Sequence, residues 1–125
     1  SERSTTSTSY VSMTLNASIT PSATDSKVLV IVQAAFGLET AGVAYFDIAR
    51  DIGGGGYVSQ GGGQGFGQIN TADTTGGPGG LVTLNSPSTT SAVTYRVDAK
   101  VGDAADTCYV GRGGVSTIVL MEIGA

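Results

Sequence analysis

A strict two-residue alternation from Val93 to Val101 constrains the fold more than any other feature of the sequence. Five apolar residues alternate with four polar ones in this stretch, VTYRVDAKV. Successive side chains of a β-strand point to opposite faces, so the pattern predicts a strand with one buried and one solvated face. No stretch carries the 3.6-residue period of a helix over ten or more positions. The chain is therefore predicted to be all-β.

Other segments of the chain carry similar strand signals, and turn residues separate them. Gly, Pro and Ser clusters divide the sequence into about eight short β-type segments, at the spacing typical of a sandwich or barrel. The predicted strands lie near residues 10–19, 27–36, 42–50, 81–84, 93–101, 107–110 and 116–123, with further short pieces inside residues 57–69. We expect an antiparallel β-sandwich, and the jelly roll is the favoured topology.

The length and the composition of the N-terminus predict the domain organisation. A chain of 125 residues fits one domain with one modest core. The opening stretch, SERSTTSTS, is polar and has little to bury. Residues 1–9 are therefore predicted to be an extension or linker, and residues 10–125 a single β-sandwich domain.

Two predicted strands are apolar on both faces, which indicates contact with a second subunit. The runs VLVIV at 28–32 and IVLM at 118–121 contain no polar residue. A sandwich strand normally shows one face to water, so these strands are predicted to be covered by their own domain and by a neighbour. Charged residues make up only 13% of the chain, about half the usual ~25%. The candidate interface residues are Val28, Val30, Val32, Ile118 and Leu120.

Charge and composition argue against several classes of function. The net charge is −4 and the six basic residues are scattered, so no basic stripe is available for nucleic acid. The run at 28–32 is far too short to cross a bilayer. Histidine is absent and there is one cysteine, which removes histidine acid–base chemistry and Ser–His–Asp or Cys–His arrangements. No catalytic residue, metal ligand or cofactor is predicted.

Residues 53–67, GGGGYVSQGGGQGFG, form a glycine-rich segment with no regular period. The segment lacks the lysine of a P-loop, and no helix is predicted after it, so phosphate binding is disfavoured. It is predicted to be a loop or an interface. Its candidate surface-recognition residues are Tyr57, Gln60, Gln64 and Phe66. The two aromatic side chains have an equally weighted alternative, which is to fill the core of the domain itself.

The acidic residues offer two pairs that resemble loose calcium ligands. Asp47 lies near Asp51, and Asp103 lies near Asp106. Neither pair matches an EF-hand loop, and acidic residues near turns are usually solvated or cap backbone amides. The favoured interpretation is therefore structural.

Two further polar residues stand in apolar surroundings. Glu122 interrupts the last apolar run, so it must face solvent or be paired, with Arg96 and Arg112 as open alternatives. Cys108 has no basic neighbour until Arg112, and is predicted to be a small buried hydrophobic residue.

Three segments of the sequence resemble a known class of protein. They are TSYVSMTLNASITPSATDSKVLVIV, SPSTTSAVTYRVDAKV and the terminal STIVLMEIGA. Their order is similar to that in small β-sandwich domains of tail-fibre and related virion proteins of tailed phages, many of them marine. The resemblance implies a homotrimer located in the virion, with other virion proteins or a host-surface receptor or glycan as partners. It covers somewhat over half of the chain and leaves residues 53–80 unmatched.

The sequence leads to one preferred function and three alternatives. The preferred function is a non-enzymatic virion structural domain, either a fibre tip or knob or a capsid spike or decoration protein, for assembly or host attachment. The first alternative is a carbohydrate-binding module in which Tyr57 and Phe66 stack on sugar rings. A secreted trimeric jelly roll of the C1q or tumour-necrosis-factor kind is the second, although their aromatic signatures are missing. An enzyme would need two convergent acids roughly 5–10 Å apart in a pocket.

Overall fold

Ten β-strands arranged in two antiparallel sheets make up the computed structural model, which describes residues 2–124. The strands are β1 (Arg3–Thr5), β2 (Val11–Ile19), β3 (Lys27–Leu38), β4 (Gly42–Ile52), β5 (Tyr57–Ser59), β6 (Gly67–Thr71), β7 (Thr75–Asn85), β8 (Val93–Val101), β9 (Cys108–Val110) and β10 (Thr117–Ile123). Within the described residues the helical structure is a single 3₁₀ turn at Gly62–Gln64. None of these residues belongs to a helix with the length and apolarity that a membrane crossing needs.

The strand order is that of a jelly roll. The first sheet has the order β1-β9-β3-β7, with β10 beside the first half of β3 and β9 beside its second half. The second sheet has the order β2-β8-β4, followed by β6 and β5 along the two halves of β4. When β5 and β6 are counted as one strand and β9 and β10 as another, eight strands run in the orders 1-8-3-6 and 2-7-4-5. This arrangement confirms the predicted sandwich and its favoured topology.

The core lies between the sheets and is built mainly from β3, β4 and β8. Strand β8 alternates as predicted, since its odd-numbered residues from Val93 to Val101 are all buried in the core. Thr94, Arg96 and Lys100 lie on the outer side and are partly exposed, whereas Asp98 on that side is buried. Phe36 and Phe46 join the sheets by an edge-to-face contact with ring centroids 4.9 Å apart. The hydroxyl of Tyr95, which is fully buried, donates a hydrogen bond to Asn85 at 2.8 Å, so its burial leaves no polar atom unpaired.

Two segments differ from the sequence predictions. Residues 3–5 of the predicted N-terminal extension form β1, which pairs with β9. The segment TTGGPGG at residues 74–80 has the composition of a loop and lies outside the predicted strands, but its residues 75–80 form the first half of β7 and pair with residues 33–38 of β3. Glycines are poor strand formers, but here the long neighbouring strand supplies the pairing. The glycines also make room for the ring of Tyr109, which lies over Gly37 and Gly76 on the outer face of the sheet.

Candidate functional site

The outer face of the first sheet carries a continuous group of large apolar side chains. Leu29 of β3 lies directly between Leu84 of β7 and Met121 of β10. Two residues further along β3, Ile31 lies in the same way between Val82 of β7 and Val119 of β10. We call these side chains the apolar face: Leu29, Ile31, Val82, Leu84, Val119 and Met121. Leu29 is partly exposed, and the exposure of the other five ranges from 37% for Ile31 to 60% for Val82.

The interface residues predicted from the sequence lie on the opposite side of the same strands. Val28, Val30 and Val32 are at most 1% exposed, and they belong to the core of this chain. Ile118 and Leu120 are partly buried against that core. A neighbouring subunit could not reach the three valines. The strands are apolar on both faces as predicted, and the side chains on their outer side are those of the apolar face.

Beyond the apolar face, the same sheet becomes concave. A cavity of about 480 Å³ lies over Ala35 and Pro78, with Tyr109 and Arg112 on one side and the highly exposed Val115 at its rim. The guanidinium of Arg112 stacks on the Tyr109 ring at 3.9 Å and forms ion pairs with Glu2 and Glu39. Small residues line the floor of this cavity, so this half of the outer face is a depression beside the half that carries the apolar face.

The four recognition residues predicted in the glycine-rich segment do not lie on one common surface. Tyr57 is 38% exposed on the outer face of the second sheet, and Gln64 is also exposed. Gln60 is half-buried and accepts a hydrogen bond from Asn85 at 2.9 Å. Phe66 packs against the core. The two aromatic residues therefore do not share an exposed face, which removes the stacking pair of the carbohydrate-binding hypothesis.

Tyr57 contributes to a row of charged and aromatic contacts along β8. The guanidinium of Arg96 lies 3.7 Å from the centre of the Tyr57 ring. The same guanidinium donates two hydrogen bonds to Asp98, at 2.6 and 3.0 Å. The ammonium of Lys100 lies 4.5 Å from the Tyr10 ring and 5.2 Å from the Tyr45 ring. The outward side of β8 is thus rigidly paired rather than freely solvated.

Asp47 and Asp98 form a buried acid pair at the centre of the second sheet's outer face. They are direct cross-strand partners on β4 and β8, and their exposures are 0% and 4%. The Asp47 Oδ1 accepts a hydrogen bond from the Gly61 N–H at 3.0 Å, whereas its Oδ2 is buried without a partner. Burial raises the pKa of Asp47, and the charge of Asp98 raises it further, against the lowering effect of the nearby Ser59 hydroxyl and of the Gly61 and Ile48 N–H groups.

The acid pair was not among the pairs considered from the sequence. It lines none of the cavities of about 310, 340 and 480 Å³, which are formed by other residues. Arg96 occupies both oxygens of Asp98, and no group of three or more His, Cys, Asp or Glu side chains occurs within residues 2–124. Both oxygens of Asp98 and the Oδ1 of Asp47 are thus bonded to other groups of the protein.

The pairs that were considered from the sequence have structural partners. Asp51 accepts the Gly56 N–H at 3.0 Å, and Asp103 accepts the Ala105 N–H at 2.9 Å. Asp106 is buried and accepts a hydrogen bond from Thr40. These contacts agree with the favoured interpretation that acidic residues cap turns.

Glu122 is paired, as one of the two predicted alternatives requires, but its partner is Ser22 and not Arg96 or Arg112. Glu122 accepts hydrogen bonds from the N–H and hydroxyl of Ser22, at 2.8 and 2.7 Å, and these bonds hold its pKa below the usual range. Neither arginine is close, because Arg96 is paired with Asp98 and Arg112 with Glu2 and Glu39.

The prediction for Cys108 is confirmed. The thiol is free and buried, and burial raises its pKa to about 11.

Comparison with known proteins identifies no relative. The chain matches no family model, and neither a curated protein nor a solved structure is significantly similar to it. The fold and the two outer faces therefore carry the functional argument.

Proposed function

We propose that this chain is a non-enzymatic structural domain of a bacteriophage virion, assembled as a homo-oligomer through the apolar face. A fibre tip, spike or decoration protein is the corresponding role, and a trimer is the expected form. The extracellular particle is the proposed location. Other virion proteins and a host-surface receptor or glycan are the proposed partners.

The apolar face is the observation that carries the proposal. Isolated exposed apolar residues are common on monomers, but contiguous groups of large ones mark interaction surfaces. Here two complete cross-strand rows are apolar, and Val82, Leu84 and Met121 are each more than half exposed. The small share of charged residues, 13%, supports burial of part of this surface. The jelly-roll strand order is compatible with the virion class, which the sequence resemblance supports.

The oligomer is tested by measuring the solution mass with light scattering over a range of protein concentrations. The test variant is Val82→Lys, which places a charge in the apolar face. Val58→Lys is the matched control, because Val58 is exposed to a similar degree, 62% against 60%, but lies on the second sheet. We expect a trimer for the wild type and the control and a monomer for Val82→Lys. A monomeric wild type at ~100 µM, or an undiminished mass for Val82→Lys, contradicts the proposal.

The attachment role is assigned to the exposed part of the glycine-rich segment, where Tyr57 and Gln64 are accessible. Binding of the oligomer to intact host cells or to a glycan array is the appropriate assay. We expect Gln64→Ala to weaken binding without changing the oligomeric mass. The control is Thr20→Ala, an exposed change between β2 and β3. A substitution of Gly54 in the segment itself would not serve, because its φ of 83° strains any residue with a side chain.

A further inference from the structure

The buried acid pair is closed off by residues 61–65 of the glycine-rich segment, which we call the cover. The Gly61 N–H donates to Asp47 Oδ1, and the Phe66 N–H just beyond the cover donates to the Phe46 carbonyl at 2.8 Å. The Tyr10 hydroxyl contacts the carbonyls of Gly62 and Gly63 at 3.3 and 3.4 Å. With the cover in place, the Asp47 side chain has no access to water.

Glycine is required for this close approach at two positions. A Cβ on Gly61 would lie 2.7 Å from Asp47 Oδ1 and 2.6 Å from the Gly65 carbonyl carbon. A Cβ on Gly65 would collide with the Phe46 carbonyl oxygen, and Gly65 also has a φ of 65°. The glycines at 61 and 65 thus allow the backbone to seal the carboxyl directly.

The groups that the structure describes around Asp47 include hydrogen-bond donors but no cation that is free to pair with a negative charge. From β8, Asp98 faces it directly, and Arg96 is committed to Asp98, while Lys100 lies between Tyr10 and Tyr45. On its own strand, Tyr45 and Asp51 share its face, and β5 contributes Tyr57 and the Ser59 hydroxyl. The cations thus have other partners. Directly opposed residues in a sheet have Cβ atoms about 5 Å apart, so the two carboxyls are close enough to repel or to share a proton.

We propose that Asp47 and the cover form a proton-dependent latch, which is closed while Asp47 is protonated and opens when it loses its proton. The unpartnered Asp47 Oδ2 carries this inference, because a buried charged oxygen without a partner is strongly disfavoured. Lifting residues 61–65 is the direct way to bring water to that oxygen. The protonated carboxyl has no such need, and its proton can be donated toward Asp98.

The direction of the pH response follows from linkage. In the closed form, burial raises the pKa of Asp47, and in an open, hydrated form the pKa returns toward its ordinary value near 3.9. Between these two values the closed form binds more protons than the open form. The opening equilibrium therefore increases by up to about tenfold for each unit of rising pH within that window and is constant above it. The latch does not depend on the proposed oligomer, because it lies on the other sheet.

NMR spectroscopy of labelled protein between pH 4 and 9 tests the latch. The Asp47 carboxyl carbon reports the proton, and the exchange protection of the Gly61 amide, corrected for intrinsic exchange, reports the cover. In the wild type we expect both to change over the same pH range, with a carboxyl midpoint above the ordinary ~3.9. Gly61 protection should fall as pH rises. In Asp47→Asn, which keeps the acceptor for Gly61 and adds an N–H toward Asp98, protection should be high and independent of pH.

Asp51→Asn is the matched control. Asp51 lies on the same strand and face and also accepts a glycine N–H from this segment, but it is only half-buried. In this variant Gly61 should respond to pH as in the wild type. Three results would each overturn the latch: an Asp47 midpoint at or below the ordinary value, Gly61 protection that is constant while Asp47 titrates, or a pH response that persists in Asp47→Asn.

Discussion

Asp47 and Asp98 lie directly opposite each other on β4 and β8, and both are almost completely buried although only Asp98 has a cationic partner. The consequence for global stability has a definite sign. Burial raises the folded-state pKa of Asp47, so the folded state binds its proton more tightly than the unfolded state. This contribution is fully present below the unfolded pKa near 3.9 and is lost as the pH rises through the folded pKa.

We therefore expect Asp47→Asn to change how the free energy of unfolding depends on pH. Relative to the variant, the wild type should lose up to about 1.4 kcal/mol per pH unit within that window, because of this one group. Urea denaturation of both proteins at several pH values between 4 and 8 measures the difference. A wild type that gains stability over the variant as the pH rises would show that Asp47 has a lowered pKa instead.

The close approach at Gly65 predicts a sharp difference between two glycines of the cover. Gly65→Ala introduces a Cβ that collides with the backbone of Phe46 at a positive φ, so we expect a loss of about 1–3 kcal/mol of stability. Gly63→Ala has open space around the added methyl group and no positive φ, and should be close to neutral. Thermal unfolding of the two variants measures both effects. Equal effects would mean that residue 65 does not approach the Phe46 backbone as closely as described.

Substitutions on the inner and outer sides of the first sheet should differ in their effect on the free energy of unfolding. Val30→Ala removes two methyl groups from a fully buried site, and we expect a loss of about 2 kcal/mol or more. Val119→Ala, on the 42% exposed outer side of β10, should change the stability of a monomer by less than about 1 kcal/mol. Urea denaturation in the Val82→Lys background isolates the monomer. The opposite order of effects would reverse the assignment of inner and outer faces.

The buried thiol of Cys108 can serve as a chemical probe of unfolding. This thiol is buried and has a pKa of about 11, so at pH 8 it is both inaccessible and almost entirely protonated. A disulfide exchange reagent should therefore react with the native protein at least about tenfold more slowly than with the protein in urea. Absorbance of the released thiolate follows the reaction. Rapid labelling of the native protein would place Cys108 at the surface.

The sequence was most informative where one side of a strand was polar. In β8 the alternation correctly predicts both the strand and its core-facing side, because the polar residues mark the outer face. In β3 the residues at 28–32 are apolar on both sides, so composition cannot tell which side faces the core. That choice depends on how the two sheets pack. The assignment of Val28 and Val30 to an interface was wrong for this reason, and Leu29 and Ile31 occupy the outer side.

Other features depend on pairing between distant parts of the chain. Residues 75–80 have the composition of a loop, and they become a strand because β3 extends beside them and Tyr109 fills the space over Gly76. Asp98 is one polar residue in an alternating strand when the sequence is considered alone. Its proximity to Asp47 follows from the register of β4 with β8, across 51 positions of sequence. Neither relationship has a local signal.

The strand directions make the two ends of the sandwich different, and this difference decides which end faces outward when the domain is tethered. Strand β10 ends opposite Lys27, at the start of β3. Strand β1 pairs near the other end of that sheet, because Arg3 lies opposite Val110 and Val110 lies opposite Phe36, close to the end of β3. A tether on the C-terminal side of β10 would therefore leave from the pole where β3 starts. The opposite pole, with the turns after β1, β3, β6 and β8, would then be presented outward.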